Sequence, residues 1–316
     1  MKIGIVTQTR PEWVEEFIRS CKDLNLPHIL IDMKKQSWFD ESKKSDVLLW
    51  RVHQADPESL LDARNKIPLL ETNGIVCFPN PLMLWLYDNK IRQTYFFMTN
   101  GIPAPVTFIT SDKSEAHNFT ETCIYPLVYK RSYGASSIGV SLVETPQVAR
   151  SIINRELRAP TNKLRKAVKH CVRKLNLPYR QPDGYVYFQQ YIESDSDLRI
   201  VTFGDSVVSV FRRLNRPHDF RASGSGLWEQ ITEPAFPVDA CDLSIDISRR
   251  HGFPVMSYDF LFHKGRWLVS EISYTFLLNN IYVDTLFRRT QFGYQKLGPI
   301  QMGVNHICAI IGHDLS

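Results

Sequence analysis

The sequence predicts an α/β protein: a small parallel α/β domain at the N-terminus, then lobes built from antiparallel strands. Three observations predict it. Short apolar runs at 2–7, 28–32, 46–51 and 75–78 alternate with longer stretches, the habit of parallel units. Two pairs of strand-like runs bracket tight turns, 198–203 with 207–213 around Gly204 and Asp205, and 258–262 with 267–272 around Lys264 and Gly265. Between these regions, the run Pro126–Lys130 enters a small-residue loop (Gly134, Ala135, Ser136, Ser137, Gly139) before a second β-branched run at 138–143.

In chain order, the first strand turns at Thr7–Pro11, with Pro11 suited to an early helical position. Trp13, Val14, Phe17, Ile18, Cys21 and Leu24 recur at helical spacing over 12–24. Three further strands end at Asp32, Arg51 and Phe78, and ligands of such a unit lie beyond the carboxyl ends of its strands, where Thr7–Arg10 and Arg51 sit. Residues 82–99 read as one helix closed by Asn100 and Gly101, with Pro103 and Pro105 beyond. Strands follow at 106–110, 125–130, 138–143 and 185–192, and helices at 146–157 and 239–251. The segment after 272 is expected to be mostly helical, with turns at Gly293 and Gly298. The divisions are 1–85, an N-terminal α/β domain; 86–188, a lobe with the glycine loop and a basic insert at 155–182; and 189–316, a C-terminal lobe with a helical tail.

Composition narrows the class. With 43% hydrophobic and 22% charged residues over 316 positions, the chain can bury a large core, and no apolar run of membrane-spanning length occurs. The six cysteines are scattered without a C-x-x-C pair, and the N-terminus enters a strand without an apolar signal region. Reduced thiols and a cytoplasmic location are therefore expected. A net charge of +5 suits anionic small molecules. The insert 155–182 carries Arg155, Arg158, Lys163, Arg165, Lys166, Lys169, Arg173, Lys174 and Arg180 against Glu156 alone. It reads as a solvated helix face or a docking site for an acidic or phosphorylated substrate, and no nucleic-acid motif accompanies it.

Four groups of residues carry chemistry. Lys130 leads into a loop whose backbone N–H groups can approach an anion. Asp259 and Glu271 interrupt otherwise apolar strands, where a carboxylate must be paired or bound to a cation. Together they suit Mg²⁺ on a polyphosphate, or Glu271 pairs with an arginine in a buried ion pair. The stretch 187–193 ends in Gln190, Tyr191, Ile192 and Glu193, an adenine slot or an ordinary edge strand. Asp197, Arg199, Arg212, Arg213 and Arg221 form a polar set in which strand alternation sends Arg212 and Arg213 to opposite faces.

In order and spacing these pieces resemble an ATP-grasp enzyme of the RimK-like carboxylate–amine ligase type, over about residues 86–275. The resemblance implies a two-lobed ATP-grasp fold with antiparallel sheets. It makes Lys90 and Lys130 the phosphate lysines, and Ser132 with Gly134, Ser136, Ser137 and Gly139 the loop over the phosphates. It makes Gln190, Tyr191 and Ile192 the adenine hinge, with Glu193 or Asp197 at the ribose. Arg212 or Arg213, with Arg221, would hold the substrate carboxylate and acyl phosphate. Asp259, Glu271 and Ser273 would hold one or two Mg²⁺, Ser273 standing where relatives have asparagine. The implied reaction joins a carboxylate to an amine at the expense of ATP. Alternatives that keep the ATP residues are a kinase, a thioester-forming enzyme and a non-catalytic nucleotide-binding module. A homodimer is admitted by the resemblance alone.

Overall fold

The computed structural model describes every residue except 54, 133–138, 158–183, 218, 223, 232–234, 277–284, 299, 301 and 313–316. The protein is α/β, as the sequence predicts. Its contacts divide it into two compact units. The first comprises Met1–Asp88, Phe96–Ala104 and Ser194–Ser316; the second comprises Asn89–Tyr95 and Pro105–Glu193. The N-terminal α/β segment and the C-terminal lobe, kept apart in the sequence reading, thus belong to one unit.

The first unit contains two sheets. Strands β1 (Ile3–Val6), β2 (His28–Ile31), β3 (Val47–Leu49) and β4 (Val76–Phe78) form a parallel sheet in the order β2-β1-β3-β4. Helices α1 (Pro11–Asp23), α2 (Trp38–Ser42) and α3 (Pro57–Thr72) connect its strands. Helix α1 starts at Pro11 and buries Trp13, Phe17 and Cys21, the stripe its spacing predicts. Helix α3 begins where the Asp56 side chain accepts from the Ser59 N–H at 3.0 Å, with Pro57 in the first turn.

The expected helix 82–99 is broken in two. Helix α4 (Pro81–Leu86) stops at Tyr87, which is extended, and Asp88 takes a φ of 52° before α5 (Lys90–Thr99) begins. A left-handed residue cannot continue a right-handed helix.

The second unit holds the antiparallel sheet β5-β8-β6-β7, from β5 (Thr107–Thr110), β6 (Leu127–Lys130), β7 (Val140–Val143) and β8 (Val186–Gln190). Helices α6 (Lys113–Thr122) and α7 (Pro146–Glu156) belong to it. Its core gathers Leu127, Tyr129, Ile152, Ile153 and Phe188.

Back in the first unit, β9 (Ser196–Phe203), β10 (Val207–Leu214), β11 (Trp228–Gln230), β12 (Val255–His263), β13 (Arg266–Ser273), β14 (Leu286–Thr290) and β15 (Gly293–Lys296) form a seven-stranded antiparallel sheet in the order β13-β12-β9-β10-β14-β15, with β11 added on β10. Its hairpins are those the sequence predicts: β9 (Ser196–Phe203) with β10 (Val207–Leu214), and β12 (Val255–His263) with β13 (Arg266–Ser273). Gly204 sits at a φ of 64°, and Lys264 and Gly265 at 49° and 79°, the left-handed pair a two-residue hairpin turn requires. Helix α8 (Val238–His251) ends on Gly252 at a φ of 64°.

Among the described residues after 272, helix is not the main element: strands β14 (Leu286–Thr290) and β15 (Gly293–Lys296) form another hairpin, followed by helix α9 (Met302–Ile311), while 277–284 lie outside the described residues. Leu286 is fully buried while Arg289 and Thr290 are exposed, a half-covered strand and not a helical stripe.

Candidate functional site

Strand pairing builds the polar face of the seven-stranded sheet. Asp259 stands opposite Glu271 on β13 and opposite Arg199 on β9, and Asp197 stands opposite Arg213 on β10. Cross-strand partners share a face, as do residues two apart, so all five side chains lie on one side of the sheet. Arg199 grips Asp259 with two hydrogen bonds, Nε to Oδ1 at 2.7 Å and Nη2 to Oδ2 at 2.8 Å. Arg213 donates to Asp197 from Nε at 2.6 Å and from Nη2 at 2.5 Å. The Arg213 Nη2 also lies 2.8 Å from Asp259 Oδ2.

Burial would raise the Asp259 carboxyl, but Arg199 and Arg213 outweigh it and hold the group down at about 2. Asp197 is pushed up by burial, against the pull of Arg213 and with the charge of Asp259 adding to the rise. Glu271 has no ion-pair partner among the described residues, so it is Asp259 that is held by arginines. The face carries Asp197, Asp259 and Glu271 against Arg199 and Arg213 and is short of one positive charge. A facing carboxylate pair with net negative charge left over fits a hard cation. The third expected ligand, Ser273, lies two residues on from Glu271 and has its hydroxyl engaged by Thr275, donating to the Thr275 carbonyl at 3.1 Å and accepting from the Thr275 N–H at 3.0 Å. Among the described residues no three His, Cys, Asp or Glu side chains cluster as a metal-binding group.

Of the two adjacent arginines, Arg213 faces this set. Arg212 lies on the other side, bonded to Ser196 Oγ at 2.7 Å and paired with exposed Asp195 and Glu229 at 3.3 and 3.5 Å. Nη1 of Arg213 has no hydrogen-bond partner among the described residues. Arg221 is bonded to Asp219, with contacts of 2.7 and 2.9 Å, and sits over the Phe220 ring.

In the second unit, Lys90 opens helix α5 and is only 6% exposed. Its N–H donates to the carbonyl of buried Ser132 at 2.9 Å, which ties the helix start to the chain two residues past Lys130. A hydroxyl–amide chain fixes the same turn. Thr94 Oγ1 donates to Lys90 O at 2.9 Å and meets the Tyr187 hydroxyl at 3.0 Å, and Gln189 donates to Tyr187 and Thr107 at 3.0 and 2.9 Å. With its buried polar groups satisfied in this way, the chain rigidifies the turn that carries Lys90. Gly139 takes a φ of 77° and accepts from Arg131 N–H at 3.0 Å. Gly134, Ser136 and Ser137 lie outside the described residues, as does nearly all of the basic insert. Strand β8 ends at Gln190, whose N–H donates to Val106 O at 2.8 Å; Ile192 is buried and Glu193 exposed beyond it.

Sequence reasoning underweighted Arg199, although the spacing Asp197-x-Arg199 places both on one strand face. It missed the Thr94–Tyr187–Gln189 chain, whose members read as ordinary helix and strand residues.

The RimK-like ATP-grasp domain family matches residues 87–284. A probable alpha-L-glutamate ligase of Haemophilus influenzae is 23% identical over 207 residues, 64% of this chain and 61% of that protein. The chain therefore spans about three fifths of that relative's length. Among solved structures, D-alanine–D-alanine ligase of Bacillus anthracis superposes with a TM-score of 0.55 at 17% identity, over 99% of this chain and 96% of the other. A RimK domain protein of Sphaerobacter thermophilus gives 0.54 at 15% identity, over 86% and 90%. With nearly two thirds of its length matched by the family, in the region that holds the lysines and the carboxylate face, the chain belongs to the RimK-like ATP-grasp domain family.

Proposed function

We propose that the protein is an ATP-dependent carboxylate–amine ligase that forms an amide or peptide bond through an acyl phosphate and releases ADP and phosphate. The observation that carries this reading is the Asp259–Glu271 pair, left net negative beside an arginine with free donors. Relatives named as glutamate and D-alanine ligases support it.

In this reading Lys90 and Lys130 neutralise the triphosphate, and the first turn of α5 is held by Thr94 and Tyr187 so that Lys90 stays in place. Ser132 and the loop with Gly134, Ser136, Ser137 and Gly139 cover the transferred phosphate and exclude water. Backbone groups of Gln190, Tyr191 and Ile192 read the adenine edge, and Glu193 reaches the ribose. Asp259 and Glu271 would hold Mg²⁺, which supplies charge neutralisation and Lewis acidity to the phosphates. Arg213, oriented by Asp197, presents Nη1 to the acid's carboxylate and then to the acyl phosphate. The carboxylate oxygen bonds to the γ-phosphorus as ADP leaves; the amine nitrogen then bonds to the acyl carbon, phosphate leaves, and the nitrogen gives up a proton. Glutamate, the amino acid in the relatives' names, is the first substrate class to test as acid or amine.

Glu271→Gln tests the assignment. It should abolish ATP turnover, with an unchanged circular dichroism spectrum. Normal turnover by this variant sinks the role of the carboxylate pair.

A further inference from the structure

The reacting groups are not the only cationic cluster of the first unit. Strands β1 and β3 are parallel neighbours, and residues 7–10 and 50–53 after them meet at the carboxyl edge of the sheet, where Trp50 Nε1 donates to Gln8 O at 3.3 Å and Thr9 Oγ1 donates to Arg51 O. Arg51 there is 2% exposed. Its guanidinium lies over the Trp13 ring at 4.0 Å and the Phe276 ring at 5.5 Å and donates to the Phe276 carbonyl. Arg51 is therefore a buried source of positive field and not an open hand. Arg10 and His53 stand at the rim of the same edge. Arg10 is 40% exposed at its side chain and only loosely paired with Glu12, at 3.7 Å in solvent.

We infer that Arg10 and His53 form a subsite for a second, non-reacting carboxylate of the substrate. His53 is half-buried at the end of its loop, and burial together with Arg10 and Arg51 holds its imidazole well below the ordinary range, at about 4. The ring is neutral at physiological pH. Its Nδ1 accepts from the Ala55 N–H at 3.2 Å, so the proton sits on Nε2 and the ring offers one fixed donor. One planar guanidinium plus one neutral N–H donor, over a buried positive charge, suits the two oxygens of a carboxylate.

The chain itself connects this subsite to the polar face of the sheet. After Glu271, strand β13 runs through Ser273 into Tyr274, whose hydroxyl donates to Val52 O at 3.1 Å, and on to Phe276 against Arg51. Five residues span at most about 18 Å when extended, which bounds the backbone separation of Glu271 and Phe276. The carboxylate to be phosphorylated belongs beside Arg213, which leaves the rim subsite for another carboxylate, as a free amino acid serving as amine would carry. The identity of this ligand rests on the ligase reading above.

The test uses the whole protein with ¹⁵N-labelled histidine, the His53 signals being assigned with His53→Asn. It is titrated with L-glutamate, with glutamic acid diamide and with inorganic phosphate. Glutamate should move the His53 ring signals and the diamide should not. Arg10→Gln, at an exposed position, should weaken the glutamate titration roughly ten-fold. His53 signals unmoved by glutamate, or a titration unchanged in Arg10→Gln, overturn the subsite. Phosphate binding as tightly as glutamate overturns the carboxylate assignment. No turnover is needed: a successful titration in a protein that releases no ADP with any acid–amine pair keeps the subsite and removes the ligase reading.

Discussion

Asp197 clamps Arg213 across the β9–β10 ladder through two parallel hydrogen bonds of 2.6 and 2.5 Å. Asp197, which the resemblance offers to the ribose as an alternative to Glu193, is bonded here to the arginine beside Asp259. In the proposed site it would fix that guanidinium. Asp197→Asn should therefore lower kcat for ATP turnover while leaving the KM for ATP within about two-fold, since only the orientation of Arg213 is disturbed. A large rise in that KM with kcat preserved would return Asp197 to the nucleotide. Asp197→Ala removes two hydrogen bonds from a buried guanidinium that keeps Asp259, and should cost about 1–3 kcal/mol, read as a lower urea midpoint.

The Thr94–Tyr187 contact gives a prediction inside the second unit. Tyr187→Phe removes the hydroxyl that meets Thr94 at 3.0 Å and receives Gln189 at 3.0 Å, leaving two buried polar groups short of a partner. The expected cost is about 1–3 kcal/mol of stability. Affinity for a non-hydrolysable ATP analogue should also fall, as the turn bearing Lys90 loosens, and calorimetric titration checks it. Unchanged affinity in a destabilised variant would make the chain a packing feature only.

The acid limb of the stability profile follows from His53. Its folded value, about 4, lies below the ordinary 6.5, so folding favours the neutral ring. That contribution is complete above about pH 6.5 and is lost as pH falls toward 4, on the order of 2 kcal/mol for this half-buried group. His53→Asn should flatten the thermal midpoint between pH 6.5 and 4 relative to wild type. Parallel curves would contradict the assignment.

Helix α9 approaches α1 at Gly303, whose N–H donates to Glu16 Oε1 at 2.9 Å. A Cβ there would stand 2.8 Å from Glu16 Cγ and 3.1 Å from its carbonyl, and closer still to Ser20 Oγ. Gly303→Ala should cost about 1–3 kcal/mol by overpacking, seen as a shift in urea midpoint without loss of helical signal.

Much of this architecture was legible in the sequence because its signals are local. Gly204 and Lys264–Gly265 marked both long hairpins, and strand alternation alone placed Arg212 and Arg213 on opposite faces. What stayed hidden depends on partners distant in the chain. Nothing local says that Arg199 reaches Asp259, sixty residues on, or that Asp197 turns to Arg213. The break at Asp88 is a single left-handed residue in an apolar helical pattern, and periodicity passes over it. The β14–β15 hairpin was missed because its arginines and short length mask the alternation.

The most direct test of the ligase reading is ADP release measured against a panel of carboxylates and amines, glutamate included, offered singly and in pairs. The reading predicts ADP only when an acid and an amine are present together, with an amide product in equal amount. ADP released with an acid alone and unaffected by any amine, or ATP bound without ADP release under every combination, contradicts it.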